Sequence, residues 1–400
     1  MSEPMWKLSD QELASLTRAF DHHSPEYREH SVEMLDHMQR TCPFAHSPNY
    51  GGFWVATKAD AVLEVAKNVE AFSNYPSEQI PALEPTLMIP LNVDPPELYD
   101  YRAILNPLFS PKRMLGQCEE IRAQAAQLMD AIVAKGRGDV VMDLAQPLTG
   151  MTTLRLIGFD PSDWRHYTYP LHELVYSGRP LEERLAAMRM MVERMRAEVR
   201  RQKDSPTPGG ILEYLHNVEM AGRKLRIDEI DSIVLIMLGG GLDTAQALVG
   251  RIAVYLGRHP DRRQELIDNP DLMDGAVEEF LRVFPPTQGV SRRAVKDVVV
   301  AGQLVKAEEQ VLMSFVAANR DPDEFPDPHK IDFSRENNRH FSFGVGPHRC
   351  LGSHLARLEV TACLNALLTK GPNYKLVEEE VELAKDIGTM AGYDKVPIIL

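Results

Sequence analysis

The sequence predicts a mainly helical α+β protein of 400 residues. Apolar residues recur at helical spacing through the middle of the chain, whereas the runs typical of strands are short and scattered. The strands also do not alternate regularly with helices, as they would in a doubly wound sheet. The helical pattern covers four segments, namely 116–134, 182–203, 228–257 and 260–283. The strand pattern covers three, namely 51–57, 298–305 and 310–319.

Two stretches between these elements predict loops. The clearest linker is RQKDSPTPGG at 201–210, whose polar residues, prolines and glycines are typical of an exposed loop. A longer proline-rich run at 76–96 also carries apolar residues. It is either the wall of an apolar pocket or a surface loop packed onto the core, since long loops in compact domains are often functional. The candidate wall residues are Leu83, Leu87, Met88 and Ile89.

The overall charge and the cysteine content exclude several kinds of protein. A net charge of −14 gives no global attraction to nucleic acid or to an anionic membrane. The four cysteines lack CxxC spacing and fit neither a disulfide framework nor a cysteine-rich metal or iron–sulfur site. The N-terminal pattern predicts no signal peptide, and the longest uncharged apolar run, 233–242, is about half a membrane span. We therefore expect a soluble cytoplasmic protein.

The middle of the predicted helix 228–257 carries three consecutive glycines, Gly239–Gly241. Each glycine inside a helix costs about 1 kcal/mol relative to alanine, so the bare backbone must have a reason. It permits either close helix–helix packing or a flat ligand lying against the helix. The adjacent Asp243 and Thr244 favour the ligand. The threonine can bond back to the carbonyl of Gly240 and bend the helix, and an acid beside a hydroxyl can pass protons to a bound molecule.

Glu279 and Arg282 lie three residues apart in the last predicted helix, where they can form an ion pair. From the spacing alone, an exposed pair worth about 0.3–0.5 kcal/mol is the more common outcome. The apolar residues around them also permit a partly buried pair, which would need further hydrogen-bond partners to offset its desolvation. Arg335, shortly before the cysteine-containing loop, is a candidate third member.

The loop FSFGVGPHRCLG at 341–352 places Cys350 just before a predicted helix, where unpaired amides lower the pKa of a thiol. Three glycines in the loop, at 344, 346 and 352, permit positive φ or a close approach of a ligand to the backbone. His348 and Arg349 add cationic or hydrogen-bonding groups. This environment is typical of a thiolate metal ligand or of a nucleophile. A nucleophile would need a base, and His340, His348 and His354 keep that alternative open.

Together these motifs resemble those of the cytochrome P450 family. The haem-ligand pattern F-x-x-G-x-x-x-C-x-G is matched by Phe343, Gly346, Cys350 and Gly352. The G-G-L-D-T stretch ending at Thr244 is similar to the family's oxygen-binding helix motif. The resemblance continues in shorter matches, namely Glu279-x-x-Arg282 with Arg335, ANRDP at 318–322 and DPPE at 94–97.

The resemblance implies a single domain over residues 1–400, built as a helical triangular prism with a small β-rich lobe and without a fused reductase. It also implies haem b as cofactor, with Cys350 as the axial thiolate that favours O–O bond cleavage. The residues expected beside this ligand are Phe343, Gly344 and Gly352. Asp243 and Thr244 would deliver protons to dioxygen, and room for it would come from Gly240 and Gly241.

Other positions would hold the cofactor or the fold. The positions that match haem-propionate ligands are His348, Arg102 and Arg292, where cationic donors suit carboxylates. One departure is Leu98, because the family often has histidine directly after DPPE, so a propionate donor is lacking on this side. The resemblance assigns a structural rather than catalytic network to Glu279, Arg282 and Arg335.

The implied activity is hydroxylation by an oxygen-dependent haem-thiolate monooxygenase. The distal pocket would use Leu87, Met88, Ile89, Thr287, Val290, Thr389 and Met390. This apolar set favours a small or medium hydrophobic substrate such as a terpenoid, a fatty acid or an aromatic compound. A ferredoxin and its reductase would supply electrons to the monomer. The candidate basic patch for ferredoxin docking is Arg349, Arg113 and Lys112.

Three alternatives remain at this point: a peroxide-driven haem enzyme of the same fold, a haem-binding sensor or carrier without turnover, and a non-haem cysteine hydrolase. The intact Asp243–Thr244 pair argues against the first, because peroxide already carries the electrons and protons that such a pair would help to deliver. The hydrolase would bind no haem and would therefore be colourless, which distinguishes it from the haem proteins.

Overall fold

The computed structural model describes residues 8–82, 87–176 and 179–400, of which helices form the larger part. In chain order the helices are α1 (Asp10–Arg18), α2 (Pro25–Thr41), α3 (Ala59–Lys67), α4 (Glu97–Leu105), α5 (Pro111–Leu115), α6 (Cys118–Lys135), α7 (Gln146–Ile157), α8 (Trp164–Tyr176), α9 (Leu181–Asp204), α10 (Ile211–Asn217), α11 (Ile227–Leu242), α12 (Thr244–Arg258), α13 (Pro260–Asp268), α14 (Met273–Val283), α15 (Phe315–Ala318) and α16 (Ser353–Lys370).

Helices α11 and α12 form the centre of the helical body. Helix α11 packs on α7, α12 packs on α16, and α16 packs on α6. Val234, Leu238 and Leu242 of α11 are fully buried in the largest apolar cluster. By length and composition the described stretch Ile227–Arg258 could cross a membrane, but 61% of its most apolar window is buried inside the protein. Such burial is typical of the core helix of a soluble protein.

The strands are short and lie mainly beside the helical body. They are β1 (Phe44–Ser47), β2 (Phe53–Ala56), β3 (Phe72–Ser73), β4 (Arg137–Asp139), β5 (Glu219–Met220), β6 (Arg223–Lys224), β7 (Gly289–Ala294), β8 (Val298–Val300), β9 (Gln303–Val305), β10 (Gln310–Ser314), β11 (Lys375–Leu376), β12 (Glu382–Leu383), β13 (Tyr393–Lys395) and β14 (Pro397–Ile399). The largest sheet has the order β1-β2-β10-β7-β3, in which β10 runs parallel to β2 and antiparallel to β7. A mainly helical protein with a small β-rich lobe is therefore confirmed.

Two of the predicted helices are confirmed as α6 and α9, and two are interrupted. The predicted helix 228–257 breaks at Asp243, whose φ and ψ are −109° and −29°. The predicted helix 260–283 is divided by a 3₁₀ turn at Pro270–Leu272. The linker also starts later than expected, since α9 continues to Asp204.

One predicted strand is confirmed as β2, and two are wrong in part. The run 298–305 is a hairpin of β8 and β9, because Ala301 and Gly302 have positive φ values of 47° and 79° and reverse the chain. The run 310–319 ends as a strand at Ser314, whose side chain accepts a hydrogen bond from the amide of Ala317 and caps α15. Of the 76–96 run, Leu83 lies outside the described residues.

Candidate functional site

The loop around Cys350 folds back on itself. The Cys350 amide donates to the carbonyl of Phe343 at 2.8 Å. Gly344 and Gly346 have positive φ values of 65° and 75°, a region that favours glycine. A Cβ atom on Gly346 would lie 2.7 Å from the carbonyl oxygen of Ala66, so packing also requires this glycine. The glycines thus allow the turn that presents Cys350 just before α16.

Asn319, which sequence reasoning placed only within the ANRDP segment, anchors this loop. It is fully buried, and its side-chain oxygen accepts the amide of Phe341 at 2.6 Å. Its amide nitrogen donates to the Ser342 hydroxyl at 2.9 Å, and this hydroxyl donates to the carbonyl of Leu281 in α14 at 2.6 Å. The loop is therefore held to α14 by a closed set of buried hydrogen bonds, which gives it a single position.

The side chain of Cys350 is accessible, although the protein around its sulfur is dense enough to desolvate the thiol. Burial raises the pKa of its thiol, against the opposing effects of a hydrogen bond from the Gly352 amide and of nearby arginines. A cation at the sulfur would supply the stabilisation of the thiolate that the protein itself lacks. The geometry therefore suits a metal ligand.

Phe343 lies under a charged pair that the sequence did not indicate. The Arg357 guanidinium carbon is 4.5 Å from the centre of the Phe343 ring, which permits a cation–π contact. Arg357 also forms a bidentate ion pair with Glu278 at 2.5 and 2.7 Å. Although burial raises the pKa of Glu278, the hydrogen bonds from Arg357 and His340 outweigh it and hold this pKa at about 2. The ion pair fixes Arg357, and Arg357 fixes the ring beside Cys350.

Three predicted propionate ligands lie close enough to influence one another. The pKa of His348 falls to about 3 because the ring is buried and because Arg292 and Arg102 add positive charge. Burial lowers the pKa of Arg292 to about 10, and its guanidinium donates to the carbonyl of Ser291 at 2.7 Å. Arg102 donates to the carbonyl of Arg349 at 2.7 Å. Among the described residues neither Arg102 nor Arg292 has a carboxylate within 4.0 Å, so this cationic group calls for an anionic ligand.

Leu98 stands where the family often has histidine, and its apolar side chain cannot form the hydrogen bond of a histidine. Leu98 is fully buried in the apolar core, and it begins the turn of α4 that leads to Arg102. Donors to an anion on this side therefore have to come from Arg102 rather than from position 98.

The break between α11 and α12 is stabilised by hydroxyl groups. The Thr244 hydroxyl donates to the carbonyl of Gly240 at 2.9 Å, as the sequence predicted. Thr149 of α7 donates to the carbonyl of Leu242, also at 2.9 Å. Carbonyls that would otherwise lack an intrahelical partner are satisfied in this way, so the helix opens at Asp243 without leaving them unpaired.

The two readings of the glycine run apply to different glycines. A Cβ on Gly240 would meet no atom within 4 Å, so Gly240 faces open space. A Cβ on Gly241 would lie 2.7 Å from the hydroxyl oxygen of Thr153 in α7. Gly241 therefore permits the close packing of α11 on α7, and its predicted part in leaving room for a ligand stays a prediction.

We expect Gly241→Ala and Gly240→Ala to have opposite effects on stability. The first forces α11 away from Thr153 and should reduce the free energy of unfolding by about 1–3 kcal/mol. The second creates no contact and should raise it by up to about 1 kcal/mol through helix propensity. Urea unfolding of both variants measures the difference, and equal destabilisation would contradict these assignments.

Asp243 belongs to a buried polar group that also contains residues the sequence did not indicate. Its side chain is 4% exposed and accepts a hydrogen bond from the Gln246 amide. Nδ1 of His172, in α8, lies 3.4 Å from Oδ1 of Asp243. Nε2 of the same ring lies 3.7 Å from Oδ1 of Asp394, in β13. The histidine thus lies between two carboxylates that are far apart in sequence.

The structure brings together the predicted network of Glu279, Arg282 and Arg335. The first two side chains are fully buried and form two hydrogen bonds of 2.9 and 2.7 Å. Nε of Arg335 lies 3.1 Å from the Glu279 carboxylate. Arg282 also donates to the carbonyls of Asn319 and Pro328, at 2.9 and 2.7 Å. The pair is therefore buried and fully partnered, unlike the exposed pair that spacing alone favours.

The predicted pocket residues fall into two groups. Thr287 and Met390 form an isolated antiparallel bridge, and half-buried Val290 and Thr389 lie next to it in the chain. In the other group, the carbonyl of Leu87 accepts a hydrogen bond from Ser232 of α11, and the Ile89 amide donates to the same hydroxyl. The side chains of this second group differ in burial, being exposed, half-buried and buried in the core for Leu87, Met88 and Ile89 respectively.

The candidate docking residues do not form an equally exposed patch. Arg349 and Lys112 are exposed, whereas Arg113 is half-buried and donates to the carbonyl of Gly209 at 3.3 Å. Two of the three side chains are therefore available to a partner.

Residues around Cys350 fit a haem. The thiol is accessible, and Arg102 and Arg292, which have no carboxylate within 4.0 Å among the described residues, suit the two propionates. The open face of Gly240 suits a flat ring or a small ligand above it. His340, one of the candidate bases for a nucleophilic cysteine, instead lies 3.3 Å from Glu278.

Comparison with known proteins gives the same result. The family model for cytochrome P450 matches residues 180–370. A probable cytochrome P450 127A1 of Sinorhizobium fredii is 34% identical over 329 residues, which cover 82% of this chain and 78% of the relative. The 6-deoxyerythronolide B hydroxylase of Saccharopolyspora erythraea is 29% identical over 309 residues, covering 77% and 76% of the two chains.

A solved structure, that of a mutant of P450 EryK in complex with erythromycin B, has a TM-score of 0.84 and 26% identity. The match covers 93% of this chain and 96% of that chain. Fold, motifs and relatives therefore agree, and the chain belongs to the cytochrome P450 family of haem-thiolate monooxygenases.

Proposed function

We propose that this protein hydroxylates a small or medium hydrophobic substrate, with dioxygen and with electrons from a ferredoxin and its reductase. The observation that carries the proposal is the accessible Cys350 thiol with Arg102 near its sulfur, in a chain whose central helix opens at Asp243 beside Thr244.

Four residues would hold the haem. The Cys350 sulfur would bind the iron, and the propionates would receive hydrogen bonds and charge from Arg102 and Arg292 and a hydrogen bond from the neutral ring of His348. Neutralisation by the propionates would offset the cost of burying Arg292, which burial makes less basic although Glu78 and Asp94 oppose it. When bound, the haem supplies the activation of dioxygen that the side chains of this chain cannot provide.

Thr244 and Asp243 would move protons. The Thr244 hydroxyl donates to Gly240 and can accept a hydrogen bond at the same time, so it can orient a polar group above the open face of Gly240. Asp243 is 4% exposed and is held by the Gln246 amide, which keeps its carboxylate at the helix break. A carboxylate fixed beside a hydroxyl is suited to proton transfer.

The pocket would recognise its substrate mainly by apolar contact. Among the candidate positions Met88, Val290 and Met390 are half-buried and apolar, and Thr287 and Thr389 add only neutral polar groups. An uncharged pocket of this kind favours a hydrophobic compound with few ionised groups. The printed name of the Sinorhizobium fredii relative gives no substrate, so it does not narrow the choice for this chain.

Electrons would reach the site from the face that carries Arg349 and Lys112. Both side chains are exposed, and the backbone carbonyl of Arg349 is bound by Arg102 beside Cys350. A small acidic ferredoxin could use this local positive charge despite the net charge of −14.

Titration of the ferric holoprotein with terpenoids, fatty acids and aromatic compounds tests the substrate class. A saturable shift of the Soret band from the low-spin to the high-spin position is expected for one class, because an apolar substrate displaces water from the iron. Val290→Phe should weaken that binding by about tenfold or more, since it narrows the pocket. Val299→Phe, on the exposed β8–β9 hairpin, is the matched control. A haem spectrum without a shift across the panel would overturn the substrate class.

A further inference from the structure

The group around His172 connects the helix break to the protein surface. His172 is in α8, Gln246 follows Asp243 in α12, and Asp394 is in β13. Side-chain exposure rises along the series, from 4% for Asp243 through 14% for His172 to 22% for Asp394. An imidazole therefore bridges a carboxylate in the interior and a carboxylate that reaches solvent.

The distances permit proton transfer with small movements. Nδ1 of His172 lies 3.4 Å from Asp243 Oδ1, and Nε2 lies 3.7 Å from Asp394 Oδ1. One water molecule or a slight rotation of the ring would complete the second contact. Among the described residues, Oδ1 of Asp394 and Oε1 of Gln246 are buried without a hydrogen-bond partner. Such atoms are usually satisfied by internal water, which would extend the path.

The hydrogen bonds of the Gln246 amide depend on whether Nδ1 of His172 is protonated. Its nitrogen donates to Asp243 Oδ1 and lies 3.2 Å from Nδ1 of His172. It can donate to Nδ1 only while that nitrogen is unprotonated, whereas a protonated Nδ1 points its hydrogen towards Asp243. The amide therefore helps to hold the ring in line with Asp243 when Nδ1 carries no proton.

We propose that His172 is a positioning residue for proton delivery, which passes protons from Asp394 at the surface to Asp243 in the interior. In each transfer the Asp394 carboxyl gives a proton to Nε2 while Nδ1 gives one to the Asp243 carboxylate. The ring stays neutral and changes tautomer, Asp394 becomes a carboxylate that regains its proton from water, and Asp243 becomes a carboxyl beside Thr244. Before the next transfer the ring returns to its first tautomer, because Nε2 gives its proton to water and Nδ1 takes one from water. This inference rests on the proposed function, because it supplies the protons that the reaction consumes.

The charges that face the ring support this role. Burial lowers the pKa of His172, but the hydrogen bond and charge of Asp243 and the charges of Asp394 and Glu173 outweigh it, so the net pKa is raised. Burial likewise raises the pKa of Asp394, which also faces Glu382, Lys385 and Lys395. Both shifts bring the two groups closer to the pH at which each can accept and release a proton.

The first experiment measures the ring itself. Histidine-labelled holoprotein in the reduced, carbon-monoxide-bound state, which is diamagnetic, is titrated by NMR. His172 is expected to titrate above the ordinary value for histidine, and Asp394→Asn is expected to lower its pKa. A pKa of His172 that Asp394→Asn leaves unchanged would overturn the bridge between the two carboxylates.

The second experiment measures turnover with a surrogate ferredoxin, its reductase and NADH. His172→Gln keeps a side chain that can form hydrogen bonds but cannot relay a proton. We expect NADH consumption at neutral pH to fall about tenfold or more, with loss of the pH dependence that follows the imidazole. Asp394→Asn is expected to reproduce this pH profile. His166→Gln, on the same helix and 3.4 Å from Asp163, removes an exposed histidine–aspartate pair and is the matched control.

The outcomes separate the relay from the reaction. If wild type consumes NADH and His172→Gln retains the same rate and pH profile, the relay is overturned and the proposed function stands. If His172→Gln slows turnover equally at every pH, the residue acts as a structural contact between α8 and the helix break, and the relay is also overturned. Absence of haem-dependent NADH consumption by wild type would overturn the proposed function and, with it, the relay.

Discussion

Replacement of Cys350 by serine is expected to abolish monooxygenase activity. Cys350 has an accessible side chain, with the Gly352 amide and three arginines close to its sulfur. A serine hydroxyl is not ionised at neutral pH and cannot replace a thiolate ligand. Loss of a residue that only supports a metal ligand typically costs about 10–100-fold, so loss of the ligand itself should exceed that range.

The absorbance of the reduced, carbon-monoxide-bound protein is the measurement that isolates this effect, because it reports the axial ligand directly. Cys118→Ser, at a half-buried position in α6, is the matched control and should leave both spectrum and activity unchanged. Cys363 is a poorer control, since it is fully buried in the core and its removal would disturb packing. A normal thiolate spectrum in Cys350→Ser would refute the assignment of the ligand.

Breaking the buried Glu279–Arg282 pair is expected to have the largest effect on stability. Arg282→Leu leaves the Glu279 carboxylate at zero exposure, and its remaining hydrogen-bond partners among the described residues are Arg335, Asn338 and the Asp332 amide. It also removes the donors to the carbonyls of the segment that precedes the cysteine loop. Removing one partner of a buried pair typically costs about 3–5 kcal/mol, a large part of the total stability of a domain.

The matched control is Glu183→Gln, which removes one carboxylate from an exposed ion pair with Arg179 and should cost no more than about 1 kcal/mol. Urea unfolding compares the two variants. The hydrogen bonds from Arg282 and the Asp332 amide outweigh burial and lower the pKa of Glu279. Its stabilisation is therefore present above the ordinary glutamate pKa and is lost as the pH falls through the lower folded value. Equal costs for the two variants would refute the structural role of the buried pair.

The cysteine loop and the adjacent Asp243 and Thr244 could be predicted from the sequence because they are local. Glycines with positive φ and a single cysteine lie within the twelve residues 341–352, and α16 starts at the next residue, Ser353. The bond from Thr244 to Gly240 spans one helical turn. Their chemistry follows from residue type and spacing, so no knowledge of distant contacts is needed to identify them.

The sequence was less informative where two interpretations depend on distant neighbours. Gly240 and Gly241 are adjacent and chemically identical, yet one faces open space and the other contacts Thr153. Glu279 and Arg282 have the spacing of an ordinary surface pair, yet both are fully buried. Spacing along one helix cannot indicate what packs against it, and this determines whether a glycine or an ion pair has a structural role.

By itself, then, the sequence determined the helical class, the central helix, the cysteine loop and the family, because these depend on periodicity and on short motifs. Only the tertiary structure decided the break of the central helix at Asp243, the anchoring of the loop by Asn319, and the placement of His172 between Asp243 and Asp394. These contacts join segments that are remote in the chain, and their geometry arises only when the helices and strands pack together.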